Sequence, residues 1–235
     1  MATQVIIPHD KEVHFSDIVN ELNENLENNI KVYNKYADEY DDLARDLGFK
    51  VANHLVKLCM DNLPESMKKN LDKCRVLDVA AGTGLIVEEF RAARFTGSFD
   101  GIEGANDMCA IARKKGIYSD LRSGLVTVDN PLPFDDNTYD VVVVCTALTP
   151  GHVPKECLFD CIRVLKPKGL LLFNLSHFEV SDPDGECMKC TKEIVEKMHD
   201  DGRCECVDEF DAQMFDLDSQ YHKVRKNVIH CFQKN

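Results

Sequence analysis

The sequence lacks any hydrophobic run long enough to cross a membrane, although it has 235 residues. Its longest apolar stretches, such as 141–145 and 170–173, have the length of a strand, whereas a transmembrane helix needs about 20 apolar residues. The first residues also lack the basic start and the apolar core of a secretory signal. We therefore expect one cytoplasmic domain of ordinary globular composition, with no part embedded in a membrane.

Positive charge is scarce as well. The sequence has 28 lysines and arginines against 41 aspartates and glutamates, which gives a net charge of −13. A field of that sign repels the phosphate backbone of nucleic acids. The charge therefore argues against nucleic acid as a partner and favours a small-molecule substrate.

The cysteines show no disulfide framework, although there are eleven of them. Their odd number and irregular spacing are typical of free thiols in a reducing cytosol. Two close pairs, Cys187/Cys190 and Cys204/Cys206, raise the alternative of a zinc site. Because the second pair has a single spacer residue on a predicted strand, we expect reduced cysteines and no bound metal.

The N-terminal part of the chain has a helical pattern of apolar residues. One stripe runs from Ile18 to Ile30 at every fourth position. The apolar faces are too narrow to fold alone, so we expect 1–65 to be a helical cap in the same domain as 66–235. The helices are predicted over 16–30, 33–47 and 52–63.

From Arg75 onward, short apolar runs alternate with amphipathic helices. This alternation is typical of a parallel sheet that is covered by helices on both faces. The strands are predicted at 76–79, 99–103, 122–128, 139–145, 170–174, 203–207 and 223–232. The helices between them are predicted at 85–93, 106–115, 154–165 and 188–198, with a turn at 166–169.

A glycine-containing loop follows the first predicted strand, where an open α/β sheet binds its ligands. Gly82 and Gly84 let the backbone approach a ligand and let the next helix begin tightly. A dinucleotide site requires a third glycine, but Val87 stands there. Asp78 would repel a pyrophosphate and attract the cationic groups of S-adenosylmethionine. The loop therefore favours S-adenosylmethionine over NAD.

Glu103 ends the second predicted strand and provides a second acidic group. A carboxylate at this place can accept hydrogen bonds from both ribose hydroxyls, each contributing about 1.5–3 kcal/mol when charge-assisted. Nucleotide sites and S-adenosylmethionine sites share this feature, so Glu103 alone does not separate them. Together with the loop at 80–84, it predicts a nucleoside-binding site.

Four blocks of sequence, in this order, resemble the class I S-adenosylmethionine-dependent methyltransferases: VLDVAAGTGLI, GIEGANDMCAIARKKGIY, PLPFDDNTYDVVVV and RVLKPKGLLLF. The resemblance covers about 33–175. It implies a Rossmann-like, seven-stranded, mostly parallel α/β sheet whose last strand is antiparallel, with helices on both faces and the N-terminal helical cap. It also implies S-adenosyl-L-methionine as the cofactor and methyl transfer by displacement at the sulfonium.

The resemblance also implies roles for individual residues. Tyr33 and Tyr40 match aromatic residues that cover the cofactor, although core packing would explain them equally well. The other positions are Asp78, Ala80, Gly82 and Gly84 around the methionine part, Glu103 at the ribose, Gly104, Ala105 and Met108 alongside the adenine, and Cys145 and Thr146 beneath the methyl group.

The sequence departs from the family pattern at two positions. Ala80 stands where the family usually has a glycine, and it permits close approach to the cofactor only if its φ is negative. The acidic residue that meets the adenine amino group is not clearly present either: counting from Tyr118 gives Leu125, and counting back from Pro131 points to Asp129. Adenine recognition would then depend on backbone groups.

The segment after the fourth predicted strand contains the candidate catalytic residue, His152. An imidazole titrates near neutrality and can take a proton from the methyl acceptor. A histidine that caps a helix or faces solvent is the alternative, and His177 is a weaker candidate. The acceptor atom stays open between oxygen, nitrogen, sulfur and carbon.

Three other functions remain as alternatives to a methyltransferase. One is a protein of the same fold that binds the cofactor without catalysis. Another is an NAD-dependent oxidoreductase, which Asp78 and Val87 disfavour. The third is a zinc-stabilised adaptor, which depends on the cysteine pairs alone.

Overall fold

The computed structural model describes residues 14–178, 186–215 and 224–235. Its strands are β1 (Arg75–Val79), β2 (Ser98–Glu103), β3 (Asp120–Ser123), β4 (Tyr139–Val144), β5 (Leu165–Phe178), β6 (Cys204–Asp211) and β7 (Val224–Lys234). Its helices are α1 (Phe15–Glu21), α2 (Leu26–Lys35), α3 (Tyr40–Asp46), α4 (Val51–Asn62), α5 (Glu65–Lys68), α6 (Leu85–Ala92), α7 (Asn106–Lys115), α8 (Leu158–Val164) and α9 (Glu186–Asp201). No helix in these ranges is both long and apolar enough to cross a membrane.

The strands form one sheet in the order β3-β2-β1-β4-β5-β7-β6. The strands from β1 to β5 pair in parallel, whereas β7 runs antiparallel to both of its neighbours. This topology confirms the predicted fold class. The strand order reverses between β1 and β4, and a crevice opens at such a point beyond the carboxyl ends of the strands.

Helices cover both faces of the sheet, as predicted. Side chains of α8 and α9 pack on one face, and side chains of α4 and α6 pack on the other. Every residue of β4 is buried, which explains its continuous apolar run. Phe90, Phe95 and Phe99 are fully buried beside one another, with ring centroids 5.2–5.6 Å apart. Burial of each such ring stabilises the fold by about 3 kcal/mol.

The first predicted helix is wrong as a single element, because α1 ends at Glu21 and α2 begins at Leu26. Two asparagine side chains explain the break. Asn25 caps α2 by accepting a hydrogen bond from the backbone of Asn28 at 2.9 Å. Asn29 accepts one from the backbone N–H of Asn23 at 3.0 Å. Side-chain bonds of this kind replace those of a continuous helix.

The third strand is shorter than predicted and begins earlier, at Asp120–Ser123. The chain leaves the sheet because Thr127 and Asn130 pair with each other through both backbone hydrogen bonds. The prediction of a turn at 166–169 is also wrong, because those residues lie within β5. They form an irregularity in that strand, where the register against β4 shifts and Lys168 has a φ of +66°.

Candidate functional site

A cavity lies beyond the carboxyl ends of β1, β2 and β4, at the point where the strand order reverses. The cap helices α2 and α3 form one of its walls, and the segment that follows β4 forms another. Most of the predicted site residues line this cavity. They are Tyr33, Tyr40, Asp78, Ala80, Gly82, Glu103, Gly104, Met108, Cys145 and His152.

The loop after β1 turns through left-handed backbone. Ala80, Gly82 and Gly84 have φ values of +58°, +56° and +91°. Ala80 therefore does not meet the condition of a negative φ. This conformation costs a residue with a Cβ about 1–3 kcal/mol. The backbone beside it is held by the N–H of Ala81, which donates to the carbonyl of Ile102 at 3.1 Å.

The two glycines of this loop meet different surroundings. A Cβ on Gly82 would have no atom within 4 Å, so this glycine leaves open space at the cavity wall. A Cβ on Gly84 would lie 2.8 Å from Ile117 and 3.2 Å from Tyr118. Gly84 is absent from the cavity lining, and its missing side chain makes room for the packing of the residues after α7.

Glu103 is buried, and both oxygens of its carboxyl group are held by the backbone. One oxygen accepts the N–H of Gly82 at 2.7 Å, and the other accepts the N–H of Ala105 at 2.6 Å. Burial raises the pKa of Glu103, and these backbone hydrogen bonds oppose the rise. Each carboxylate oxygen has more than one acceptor position, so it can also accept a ligand hydroxyl.

Asp78 is 1% exposed at the end of β1. The hydroxyl of Tyr118 donates to its carboxyl group at 2.6 Å. Burial raises the pKa of Asp78 to about 7, against the lowering effect of this hydrogen bond. A cation that binds beside Asp78 stabilises the ionised form and lowers this pKa again.

Tyr33 and His152 meet across the cavity although they are 119 residues apart in the chain. The Tyr33 hydroxyl lies 2.7 Å from Nε2 of His152, and Nδ1 of His152 lies 2.9 Å from the carbonyl oxygen of Pro150. A carbonyl only accepts, so Nδ1 carries the proton and Nε2 accepts from Tyr33. Burial lowers the pKa of His152.

The cap is joined to the rest of the cavity by further contacts. The ring of Tyr40 lies edge-on to that of Tyr33, with centroids 6.2 Å apart. Asp41 accepts a hydrogen bond from the hydroxyl of Thr83 at 2.5 Å and pairs with Lys115 at 2.6 Å. The sequence reading missed Thr83 and Asp41, because nothing in their local pattern signals a contact over 42 positions.

The backbone after β4 is strained at Thr146, which has a φ of +56°. A β-branched residue rarely adopts this conformation. The buried side chain of Asn174 accepts the Thr146 N–H at 2.6 Å and donates to Ser176 at 2.9 Å. Cys145 lies beside it on the cavity wall, and burial raises the pKa of its thiol to about 12.

The structure does not place Leu125, the predicted adenine contact, in the cavity wall. Leu125 is 36% exposed and absent from the lining, and its side chain lies against the face of Gly104. Val126 lines the cavity instead. Counting from Tyr118 therefore gave a position one residue before the one that lines the cavity. Asp129, the other candidate, is exposed in the loop that follows.

The described residues contain no group of three or more histidine, cysteine or acidic side chains that could hold a metal ion. The side chains of Cys187, Cys190 and His177 lie outside the described residues. Cys204 is buried and Cys206 is half-buried, and both are free thiols.

The charge of the cavity indicates which nucleoside cofactor fits it. Among the described lining residues, Asp78 and Glu103 are the only carboxyl groups, and no lysine or arginine is present. A pyrophosphate would find no cation there. A ligand with ribose hydroxyls and a cationic group matches the two carboxyl groups, and Gly82 leaves room beside them. The residues present therefore fit S-adenosylmethionine and disfavour NAD, whose pyrophosphate would lie near two carboxyl groups.

Comparison with known proteins gives the family of the central region. Residues 77–173 match the model of a methyltransferase domain. Over 147 residues the chain is 31% identical to human methyltransferase-like protein 27, a match that covers 62% of this chain and 57% of that protein. It is 28% identical to the demethylmenaquinone methyltransferase of Thermotoga maritima, covering 61% of this chain and 59% of the relative. The matches thus span less than two thirds of these relatives.

Solved structures share the fold. A putative methyltransferase in complex with the Trm112 methyltransferase activator of Haloferax volcanii superposes with a TM-score of 0.58 at 17% identity, covering 86% of this chain and 97% of that one. The geranyl diphosphate C-methyltransferase of Streptomyces coelicolor superposes with a TM-score of 0.54 at 12% identity, covering 78% of this chain and 79% of that one. Residues 77–173 thus match a methyltransferase domain, which supports the resemblance to methyltransferases, and the solved structures share the fold.

Proposed function

We propose that this protein transfers a methyl group from S-adenosylmethionine to a small-molecule acceptor. The observation that carries the proposal is the pair of buried carboxyl groups, Asp78 and Glu103, at the ends of two adjacent parallel strands. Both line one cavity, beside a loop whose glycine leaves open space. The methyltransferase match over 77–173 supports this assignment.

Within this proposal, Asp78, Glu103 and the loop 80–84 are the cofactor half of the cavity. Glu103 accepts the two ribose hydroxyls, and the backbone bonds that already hold its carboxyl group keep it in position. Asp78 faces the ammonium of the methionine part. Met108 and Val126 lie alongside the adenine, and the backbone of the nearby loop recognises its polar edge.

The acceptor half of the cavity consists of Tyr33 and neighbouring cap residues together with 145–153. The cofactor, when bound, supplies an electrophilic methyl group on a sulfonium. The protein contributes to the reaction by excluding water and by holding the acceptor in line with that methyl group. The cap helices close over the cavity and provide this exclusion, while the strained backbone at Thr146 fixes the wall beneath the methyl group.

The names of two relatives support a small-molecule acceptor. The Thermotoga maritima relative is a demethylmenaquinone methyltransferase, and the Streptomyces coelicolor structure contains geranyl diphosphate. Both acceptors are small molecules with large apolar parts. We extend only that general property to this protein.

Calorimetric titration of the purified protein with S-adenosylmethionine, S-adenosylhomocysteine and NAD tests the proposal. We expect saturable binding of the first two ligands and no binding of NAD. An untargeted metabolite screen with labelled cofactor then identifies the acceptor. Binding without any labelled product would favour the alternative of a cofactor-binding protein without catalysis, and binding of NAD alone would contradict the proposal.

A further inference from the structure

We infer that Tyr33 and His152 work as one proton-accepting unit, in which Tyr33 contacts the acceptor and His152 acts through Tyr33. We further infer that the acceptor is a neutral, mainly apolar molecule with a phenol-type or enol-type hydroxyl. Both statements rest on the proposed function and identify the chemistry of its second substrate. They also change the role of His152 from a base that touches the acceptor to a positioning residue behind Tyr33.

The hydrogen bonds of the imidazole carry the first part of the inference. Nδ1 lies within 3.0 Å of both the Pro150 carbonyl and the Thr149 hydroxyl, so this nitrogen and its proton face away from the cavity. The only basic position left on the ring is Nε2, which is 2.7 Å from the hydroxyl of Tyr33. A proton reaches His152 from the cavity through Tyr33.

The unit is held in place from the cap side. The side-chain amide of Asn29 donates to the carbonyl of Gly151 at 2.9 Å, and Asn29 is 1% exposed. Asn29 and Tyr33 both belong to α2, four positions apart, so they lie on the same face of the helix. One helix therefore fixes both the segment that carries His152 and the hydroxyl that meets its ring.

The walls around Tyr33 indicate the kind of acceptor. Leu26, Ile30, Ala147 and Val153 give this half of the cavity an apolar lining. Among the described lining residues no lysine or arginine is present, so a phosphate or carboxylate on the acceptor would lose its water without gaining a cation. Burying such an anion is strongly unfavourable. A neutral acceptor avoids this cost.

The base strength of the His152 imidazole limits which functional group of the acceptor can be deprotonated. Burial lowers the pKa of His152 and raises that of Tyr33, so at neutral pH the imidazole is free to accept and the phenol still holds its proton. A weak base of this kind deprotonates a phenol or an enol far more readily than an alcohol. A thiol is a weak hydrogen-bond donor to a tyrosine oxygen, which favours a hydroxyl.

The acceptor, Tyr33, His152 and the cofactor together account for every proton and electron of the transfer. The acceptor hydroxyl gives its proton to the Tyr33 oxygen while Tyr33 gives its own to Nε2 of His152. An oxygen lone pair of the acceptor forms the new bond to carbon, and the electrons of the broken carbon–sulfur bond stay on sulfur, which becomes a neutral thioether. The imidazolium then releases its proton to water.

The first test uses 2-naphthol and 2-naphthoate as a neutral and an anionic probe with the same ring system, titrated into protein saturated with S-adenosylhomocysteine. We expect 2-naphthol to bind at least about tenfold more tightly. Tyr33→Phe should weaken 2-naphthol binding about 3- to 10-fold, the loss of one hydrogen bond. Tyr36→Phe is the matched control, because Tyr36 follows the last residue of α2 and its hydroxyl donates to Glu21 outside the cavity. Equal or tighter binding of 2-naphthoate would overturn the acceptor assignment.

The second test reads the imidazole directly by ¹⁵N NMR of labelled protein. We expect His152 to carry its proton on Nδ1, and we expect the Nε2 resonance to move in Tyr33→Phe but not in Tyr36→Phe. A proton on Nε2 would overturn the proton unit. S-adenosylhomocysteine binding is measured first in every sample, so its absence contradicts the proposed function, whereas its presence with either adverse result contradicts this inference alone.

Discussion

The two halves of the cavity are built in different ways. In the cofactor half, Glu103 is fixed by backbone groups of Gly82 and Ala105, so its geometry depends on a strand end, a loop and a helix start. In the acceptor half, Tyr33 and His152 are positioned by side chains that meet between the cap and the segment after β4. The position of Glu103 therefore does not depend on hydrogen bonds from neighbouring side chains, whereas single substitutions in the cap can disable the acceptor half.

The largest effect is expected at His152. His152→Ala should lower turnover by about 10²- to 10⁴-fold and leave cofactor affinity nearly unchanged, because the ring touches Tyr33 and the segment 149–152. Thr149→Val is the control, since it removes one of two hydrogen bonds at Nδ1 and should have a small effect. Steady-state kinetics with the acceptor from the metabolite screen measures both. A variant that keeps most of its turnover would show that His152 is structural.

The same group sets the pH dependence of the wild-type rate. Turnover at saturating cofactor needs the neutral imidazole, and burial lowers the pKa of His152. The rate should therefore rise with pH, with its midpoint below the ordinary histidine value of 6.5. The sequence alone predicts an inflection near 6–7. A rate that still rises above pH 7 with no plateau would assign the proton transfer to another group.

The next largest effect is expected at Glu103, in the cofactor half. Glu103→Ala should weaken binding of S-adenosylmethionine and S-adenosylhomocysteine about 10- to 100-fold, because the ribose hydroxyls lose a charged acceptor. Glu65→Ala, an exposed change on α5, is the control. Calorimetry measures the affinities. Unchanged affinity in the Glu103 variant would show that Glu103 does not contact the cofactor.

A smaller effect is expected from pH acting on Asp78. Its pKa is raised to about 7 in the ligand-free protein, and the cationic cofactor prefers the ionised form. As pH rises from 6 to 8, the ionised fraction and the cofactor affinity should therefore increase by about tenfold, with release of a proton on binding at low pH. Asp78→Asn should bind more weakly and lose this slope. A slope that persists in the variant would belong to a different group.

The smallest effect concerns the contact between cap and loop. Asp41→Ala removes the partner of Thr83 and Lys115, so the cap should open more often and the cofactor should dissociate about 3- to 10-fold faster. Asp42→Ala is the control, because Asp42 is exposed and pairs with Arg45 alone among the described ion pairs. Stopped-flow displacement of S-adenosylhomocysteine measures the rate. Equal rates in both variants would mean that the cap does not limit release.

The difference between the halves also explains what the sequence could predict. The loop at 80–84 and Glu103 follow directly from strand ends and glycine spacing, so the sheet and this part of the cavity wall were predictable from local pattern. The positive φ of Ala80 was not predictable, because a turn out of a strand imposes left-handed backbone on whichever residue stands there. Val126 replaced Leu125 for a similar reason: a local turn ends β3 early.

In the acceptor half, the sequence indicated individual residues but not the contacts between them. Tyr33 and His152 were both candidates, but their hydrogen bond joins positions 119 apart and has no sequence signature. Asn29 and Thr83 were missed altogether, because an asparagine in a helix and a threonine in a loop are common. Long-range side-chain contacts of this kind depend on the packing of the cap, which local spacing does not encode.

The most direct test of the central claim is a crystal structure of the protein with S-adenosylhomocysteine. We expect both ribose hydroxyls within hydrogen-bond distance of the Glu103 carboxyl group, and the amino group of the ligand close to Asp78. The sulfur should point toward Cys145 and Tyr33. A ligand bound elsewhere, or bound in this cavity with its ribose away from Glu103, would contradict the account.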